Sequence, residues 1–329
     1  MSSPSTKPLP APTFGIITDI QYADIDDSYN FQGTRQRYYR NSLNLLKNAV
    51  NYWRDCQPKV DFVLQLGDII DGKNKKDDAS RTALMAVMAP LASLRKSVYH
   101  VIGNHECYNF SQDFLLKSAL NSAARVNCKG VAGKAFYTFL ASPALRIVAL
   151  DCYDLSVIGT PENTPEHDEA KRILERNPNA DKNQPHGMGT DRRFVEFNGG
   201  LTSGQLEWLE QVLLEADSNR ENVIVIGHIP IFPEACVDYS SLCWNYEDIL
   251  RVIDRHSCVS AYMAGHDHDG ASAADSEGIL HITFPAVLET EPGSNAFGTA
   301  TMYCDRIEIV GQGRVQNYSI KLRYPTLIL

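Results

Sequence analysis

The chain has 329 residues, 43% of them hydrophobic and 22% charged, enough to bury a sizeable core as one large domain or two ordinary ones. Its formal net charge of −9 and pI near 5.5 argue against a broad electrostatic footprint for DNA or RNA, so no nucleic-acid partner is expected. Any anionic substrate needs a local source of positive charge.

In chain order, the opening "MSSPSTKPLPAP" is Pro- and Ser-rich and has no apolar segment, so residues 1–12 read as a disordered lead-in rather than a secretory signal. No later stretch approaches the roughly 18 consecutive apolar residues of a membrane span, and no membrane partner is expected. The eight cysteines are dispersed without a C-x-x-C pair; lacking a signal sequence, they read as reduced thiols in a cytoplasmic protein.

Short β-branched runs then recur, each ending in Gly, Asp, Asn or His: "TFGIITD" (13–19), "VDFVLQLGD" (60–68), "SVYHVIGN" (97–104), "LRIVALD" (145–151), "NVIVIGH" (222–228) and "CVSAYMAGH" (258–266). Such runs are buried strands. Helical spacing of apolar residues marks 34–55, 77–94 and 202–216, the last capped by Thr202 or Ser203. The Pro-, Asn- and charge-rich stretch 152–199 breaks the rhythm and is expected to be an insertion over one face, with a short helix near 166–176. Toward the C-terminus "GILHITFP", "GTATMYCDR" and "IEIVGQGRVQNYSIKL" follow without helices between them, which predicts antiparallel strands completing a second sheet. The expected fold class is α/β, a helix-flanked β-sandwich forming a single domain over 13–329.

In α/β sheets, ligands bind beyond the carboxyl ends of the strands. Those ends carry Asp19 and Gln21, Asp68 and Asp71, Asn104 and His105, His228, and His266 and His268. Carboxylates, amide oxygens and imidazoles without cysteine suit Mn²⁺, Fe²⁺ or Zn²⁺. Asp19, Gln21, Asp68, Asn104, His228, His266 and His268 are too many ligands for one catalytic ion with an open position, so two metals fit better.

The ordered blocks "TDIQ", "GDIID", "GNHE", "GHIP" and "GHDH" resemble the calcineurin-like metallophosphoesterases, whose pattern is D-x-H, G-D-x-x-D, G-N-H-[ED], G-H-x-P and G-H-x-H. The resemblance implies two mixed sheets flanked by helices in a four-layer αββα sandwich. It also implies that Asp19, Gln21, Asp68 and His268 hold one metal, with Asp68 bridging to a second completed by Asn104, His228 and His266. His105 would then protonate the leaving group, oriented by Asp71, while a hydroxide shared by the two ions attacks phosphorus.

Two departures from the pattern are informative. Gln21 replaces the first-block histidine with an amide oxygen, which favours Mn²⁺ over Zn²⁺, with Mg²⁺ and Fe²⁺ also compatible. Gly72 stands where protein Ser/Thr phosphatases carry a phosphate-gripping Arg. The blocks, together with "FVEFNGGLTSGQLEWLEQVL" at 194–213, are similar to the branch of manganese-dependent ADP-ribose/CDP-alcohol diphosphatases. That implies a small nucleoside-diphosphate substrate and release of AMP or CMP from a phosphoanhydride. The alternatives are a phosphomonoesterase or cyclic-nucleotide phosphodiesterase of the same superfamily, or a non-catalytic scaffold, which the intact His105 and Asp71 disfavour. A monomer is expected.

For substrate contacts, Tyr22, Phe31, and Cys243 and Trp244 in the segment 236–248 offer faces for a nucleobase, or else cover the core edge. His100 and His281 lie inside strand runs and read as packed, whereas His167, His186 and His256 read as exposed or in loops. Glu106 is either a support for the ligands or a solvated, helix-starting carboxylate, and Cys107 reads as packing.

Overall fold

A computed structural model describes residues 11–30 and 33–326. Its elements, in chain order, begin with β1 (Thr13–Ile17), a small hairpin of β2 (Ser28–Tyr29) and β3 (Gln36–Arg37), α1 (Tyr39–Asp55), β4 (Phe62–Gln65), α2 (Ser80–Ser93), β5 (Ser97–His100), α3 (Asn104–Asn109) and α4 (Gln112–Lys117). They continue through β6 (Lys129–Gly130), β7 (Tyr137–Ser142), β8 (Leu145–Ala149), α5 (Pro165–Leu174), α6 (Ser203–Asn219), β9 (Asn222–Ile226), α7 (Tyr246–Ile253) and β10 (Val259–Ala264). The chain closes with β11 (Ala271–Ala274), β12 (Leu280–Thr283), β13 (Ala296–Met302), β14 (Arg306–Gly313) and β15 (Tyr318–Lys321).

Two mixed sheets result, ordered β15-β14-β13-β1-β4-β5 and β11-β12-β10-β9-β8-β7-β6. The residues explain the layering. On β1, Phe14 and Ile16 alternate with Gly15; a methyl on Gly15 would lie inside the Trp53 indole of α1, so the bare backbone lets that ring lie flat on the sheet. The Trp53 N–H donates to the Gly298 carbonyl (3.3 Å) and the Thr299 hydroxyl (3.1 Å), tying α1 to β13. Between the sheets, Ile16, Leu64, Ile147, Ile224, Ile226 and Met263 share one buried apolar cluster. The outer face of the second sheet packs Val223, Val225 and Tyr262 against Leu209 and Leu213 of α6 and Ile249 and Ile253 of α7. The order of layers is α, β, β, α.

Some boundaries differ from expectation. Residues 36–37 pair with 28–29 as a hairpin, so the first helix starts only at Tyr39. The last strands do not build the second sheet: β13 pairs antiparallel with β1, Thr13 opposite Thr301, and β14 and β15 extend the first sheet from there. "LHIT" instead pairs parallel with β10 in the second. Thr202 caps α6, its hydroxyl accepting from Gln205 N. Within the insertion, α5 starts at the Thr164 cap with Pro165 at its first position, and the rest is held by side chain to backbone bonds such as Asn177 to the Lys182 and Gln184 carbonyls. No helix among the described residues is long and apolar enough to cross a membrane, and none of the eight cysteines is in a disulfide.

Candidate metal centre

Strands β1, β4 and β5 run parallel in one sheet and β9 and β10 in the other. The loops leaving their carboxyl ends meet across the sandwich. Four of the expected ligands sit in the left-handed region, Asp19 (φ 49°), Gln21 (φ 42°), Asp68 (φ 56°) and His266 (φ 68°), a conformation that costs roughly 1–3 kcal/mol each and persists only where surroundings enforce it. Enforcement is visible at Asp68. Glu106, at the start of α3, accepts from the backbone N–H of Asp68 (2.8 Å), Ile69 (2.7 Å) and Gly103 (2.8 Å). A methyl on Gly103 would fall on Asp68 Oδ1 and 2.6 Å from Asp68 N, so the two loops approach only because Gly103 has no side chain. Glu106 is thus a buried support, its carboxyl pushed up to about 7 by burial and by Asp68, against the pull of the Gly103 N–H.

All seven expected ligands come together. Asp68 Oδ2 lies 3.0 Å from Gln21 Nε2 on one side and 3.4 Å from His228 Nε2 on the other. Gln21 Nε2 continues to His268 Nε2 at 2.9 Å, and His268 Nε2 lies 3.4 Å from Asp19 Oδ1. On the far side, His228 Nε2 is 3.3 Å from Asn104 Oδ1 and 3.2 Å from His266 Nδ1. Asp68 therefore stands between two donor groups, Asp19, Gln21 and His268 on one hand and Asn104, His228 and His266 on the other.

The proton pattern fits cations. His228 Nδ1–H donates to the Leu66 carbonyl at 2.7 Å, which leaves Nε2 facing inward. His266 gives its Nε2–H to Asn198 Oδ1 at 2.7 Å, and His268 gives its Nδ1–H to Glu289 Oε1 at 2.8 Å. Each imidazole turns its other ring nitrogen to the centre. Two such nitrogens, on His228 and His266, face one another at 3.2 Å, and Gln21 Oε1 is buried without a partner. Divalent cations satisfy this set, and Asp68, His228 and His266 converge tightly enough to share one.

Electrostatics agree. Burial pushes the Asp68 carboxyl up, but the His228 and His105 charges outweigh it and hold it well below the usual carboxylate range. Asp19 is likewise lowered, burial being overcome by the hydrogen bond from His268 and the nearby imidazoles. Burial holds His266 down to about 3. At His228 and His268 the opposite holds: burial is overcome by Asp68 and Asp19 at the first and by Asp19 and Glu289 at the second, and the rings are pushed up to about 10 and about 9. The centre demands positive charge.

His105 sits at the rim, Nε2 3.8 Å from Asp68 Oδ2. Its Nδ1 accepts from the Gly72 backbone N–H at 2.7 Å, which puts the proton of the neutral ring on Nε2, toward the centre. Asp71 Oδ2 stands 3.4 Å behind Nδ1, so the short contact belongs to Gly72 and Asp71 contributes charge.

A calcineurin-like phosphoesterase family model matches residues 12–270. The chain belongs to this family. It is 47% identical over 319 residues to the manganese-dependent ADP-ribose/CDP-alcohol diphosphatase of Danio rerio, spanning 94% of this chain and 98% of that protein. To the relative of that name in Xenopus tropicalis it is 45% identical over 326 residues, 95% of each chain. Its fold is similar to that of a dimetal phosphatase from Danio rerio, with a TM-score of 0.90 and 46% identity over 95% of this chain and 99% of that one.

For a phosphoesterase of this family the substrate side is less well drawn by sequence. Phe31 lies outside the described residues. Tyr22 is half-buried and bridges to Ile70. Cys243 and Trp244 are buried at 0% and 2% exposure, the indole N–H donating to the Val195 carbonyl; they hold the insertion to the core and present no open face. His100 and His281 are packed as expected, but His167 and His256 are buried too, His256 by its bond to Asp217. Sequence reasoning missed Asn198, which lies in the 194–213 segment but was given no role there, Glu289, which lies in no motif, and Tyr153, whose hydroxyl donates to Asn104 Oδ1 at 3.2 Å.

Proposed function

We propose that this chain hydrolyses the phosphoanhydride of ADP-ribose, CDP-choline and related nucleoside-diphosphate-linked molecules, with Mn²⁺ bound, releasing AMP or CMP. The observation that carries the reading is the doubled donor set around Asp68, in a chain close to half identical to diphosphatases of that name. Asp19, Gln21, Asp68 and His268 would hold one ion, and Asp68, Asn104, His228 and His266 the other. Bound divalent cations supply the positive charge that neutralises phosphoryl oxygens and activates water near neutral pH, which answers how an acidic protein takes an anionic substrate.

The chain's own residues do the rest. Asp68 balances charge between the two donor groups. Left-handed turns, braced by Glu106, aim the ligands inward without side-chain freedom to lose. His105 carries a proton on Nε2 toward the centre and delivers it to the departing phosphate oxygen, a role that typically contributes about 10²–10⁴-fold.

Metal-stripped protein, given Mn²⁺, Mg²⁺ or Zn²⁺ in turn, tests this by nucleotide products from ADP-ribose and CDP-choline, with His105→Ala alongside. AMP and CMP should appear with Mn²⁺, and the variant should bind Mn²⁺ normally yet turn over slowly. Intact diphosphates beside a cleaved monoester or cyclic nucleotide would overturn the substrate class.

A further inference from the structure

Asn198 is fully buried at the end of the insertion, and its two amide ends face different things. Its nitrogen lies 2.9 Å from the Arg193 carbonyl, 2.6 Å from the Ser240 carbonyl and 3.0 Å from the Leu242 carbonyl. Three carbonyls around one end fix it as the NH₂. The other end is then the oxygen, and it receives the His266 Nε2–H at 2.7 Å. An amide held this way can accept from His266 only if that ring is protonated on Nε2, which leaves Nδ1 free on the side of His228.

The segment Asn198 grips is tied to the same motif a second time. Asp267, between His266 and His268, accepts from the backbone N–H of Val237 (2.5 Å) and Asp238 (3.2 Å). Residues 236–242 therefore hang from the 266–268 turn at both ends. They carry Val237 and Tyr239, which expose 60% and 46% of their surface and form an apolar rim on the segment bonded to that turn.

We infer that Asn198 is a positioning residue that couples His266 to the rim segment 236–242, its carbonyl oxygen setting the imidazole tautomer and its NH₂ setting where the Val237 and Tyr239 faces stand for the nucleoside half of the substrate. The role given to His266 rests on the two-metal reading above; the hydrogen bonds do not. One side chain thus serves metal affinity and substrate affinity through separate atoms.

The two halves separate by mutation. Asn198→Asp keeps an acceptor for His266 but turns an oxygen toward three carbonyls, releasing the rim; Asn198→Ala removes both. Mn²⁺ titration calorimetry and histidine ¹⁵N spectra of the metal-free protein, both without substrate, report the first half, and KM against kcat reports the second. Asn198→Ala should lose Mn²⁺ affinity about 10–100-fold and its His266 signal should shift toward a mixed tautomer. Asn198→Asp should hold the tautomer and Mn²⁺ affinity while KM rises several-fold more than kcat falls. If Asn198→Ala cannot be folded, Asp267→Asn, which loosens the same segment from its other end, should repeat the KM effect with the His266 signal unmoved. An unchanged tautomer and Mn²⁺ affinity in Asn198→Ala, or Asn198→Asp with a native KM, overturns the coupling. Wild-type protein that binds Mn²⁺ yet leaves both diphosphates intact would overturn the substrate reading instead, and the binding and spectroscopic results would still decide for or against the Asn198 tautomer role.

Discussion

Glu289 shows how one side chain outside every motif governs a ligand. It accepts from His268 Nδ1 and from Arg37 Nε at 3.1 Å, and its carboxyl, pushed up by burial, is pulled down to about 2 by those partners. Its charge makes His268 a better donor to a cation. Glu289→Gln keeps an acceptor for the ring but loses that charge, and Mn²⁺ affinity measured by calorimetry should fall about 10–100-fold; native affinity would make Glu289 a packing residue. His100 shows the reverse case, a histidine kept neutral. Its Nδ1 donates to Gln65 Oε1 at 3.1 Å, Nε2 has no partner, and burial with the nearby Arg125 charge holds the ring down to about 3 from 6.5. The unfolded chain takes up this proton below about 6.5, while the folded chain refuses it until about 3. Stability is therefore lost as pH falls through that window, by about 1.4 kcal/mol per pH unit from this group. Denaturant unfolding of Mn²⁺-loaded His100→Gln between pH 6 and 4, a range chosen at roughly the middle of that window, should show a slope shallower by that amount. An equal slope would mean His100 is already charged. Burial lowers both rings, and the carboxylates Asp19 and Glu289 beside His268, which His100 lacks, separate the two cases.

Elements make the site by where they end. The segments "LQLGDIID" and "VIGNHE" announce strand, turn and donor in eight or fewer letters, because buried parallel strands are apolar throughout and stop at a polar loop. What they do not announce is spacing between loops. Gly103 sets it for β4 and α3, and Gly103→Ala should force Asp68 aside, costing about 1–3 kcal/mol of stability together with Mn²⁺ binding. Gly204, in the first turn of α6, is the control, since an added methyl there meets only Thr202 Oγ1 at 4.0 Å. Gly204→Ala should leave Mn²⁺ binding intact and be neutral or stabilising by up to about 1 kcal/mol. Thermal melts with and without Mn²⁺ distinguish them, and equal behaviour of the two variants would defeat the close-approach argument. Strand pairing is the other thing local sequence leaves open. The C-terminal run was legible as strands but not as neighbours of β1, since Thr13 opposite Thr301 is a contact that only the closed sandwich defines.

At the scale of the whole molecule, the centre is a seam. Asp19, Gln21, Asp68 and Asn104 follow strands of one sheet, and His228, His266 and His268 follow strands of the other. The seven donors were readable because they follow the ends of five strands; Asn198 and Glu289 were not, because they act on side chains that only the fold places beside them. A cation held by both groups cross-links the two sheets at the carboxyl ends of their parallel strands. Chelation should therefore destabilise the sandwich as a unit rather than loosen one loop. By mass action, Mn²⁺ at a hundredfold excess over its dissociation constant adds about 2.7 kcal/mol for one site, which raises the melting temperature of a large domain by about 2–4 °C per kcal/mol. Hydrogen exchange is the discriminating readout. On adding Mn²⁺ to stripped protein, protection should rise together at 62–72 and at 259–268, and the Asp68→Asn variant should lose the concerted gain because the residue between the two donor groups no longer carries charge to both. Protection that rises at only one of these strand ends would mean that cations bind without bridging the sheets.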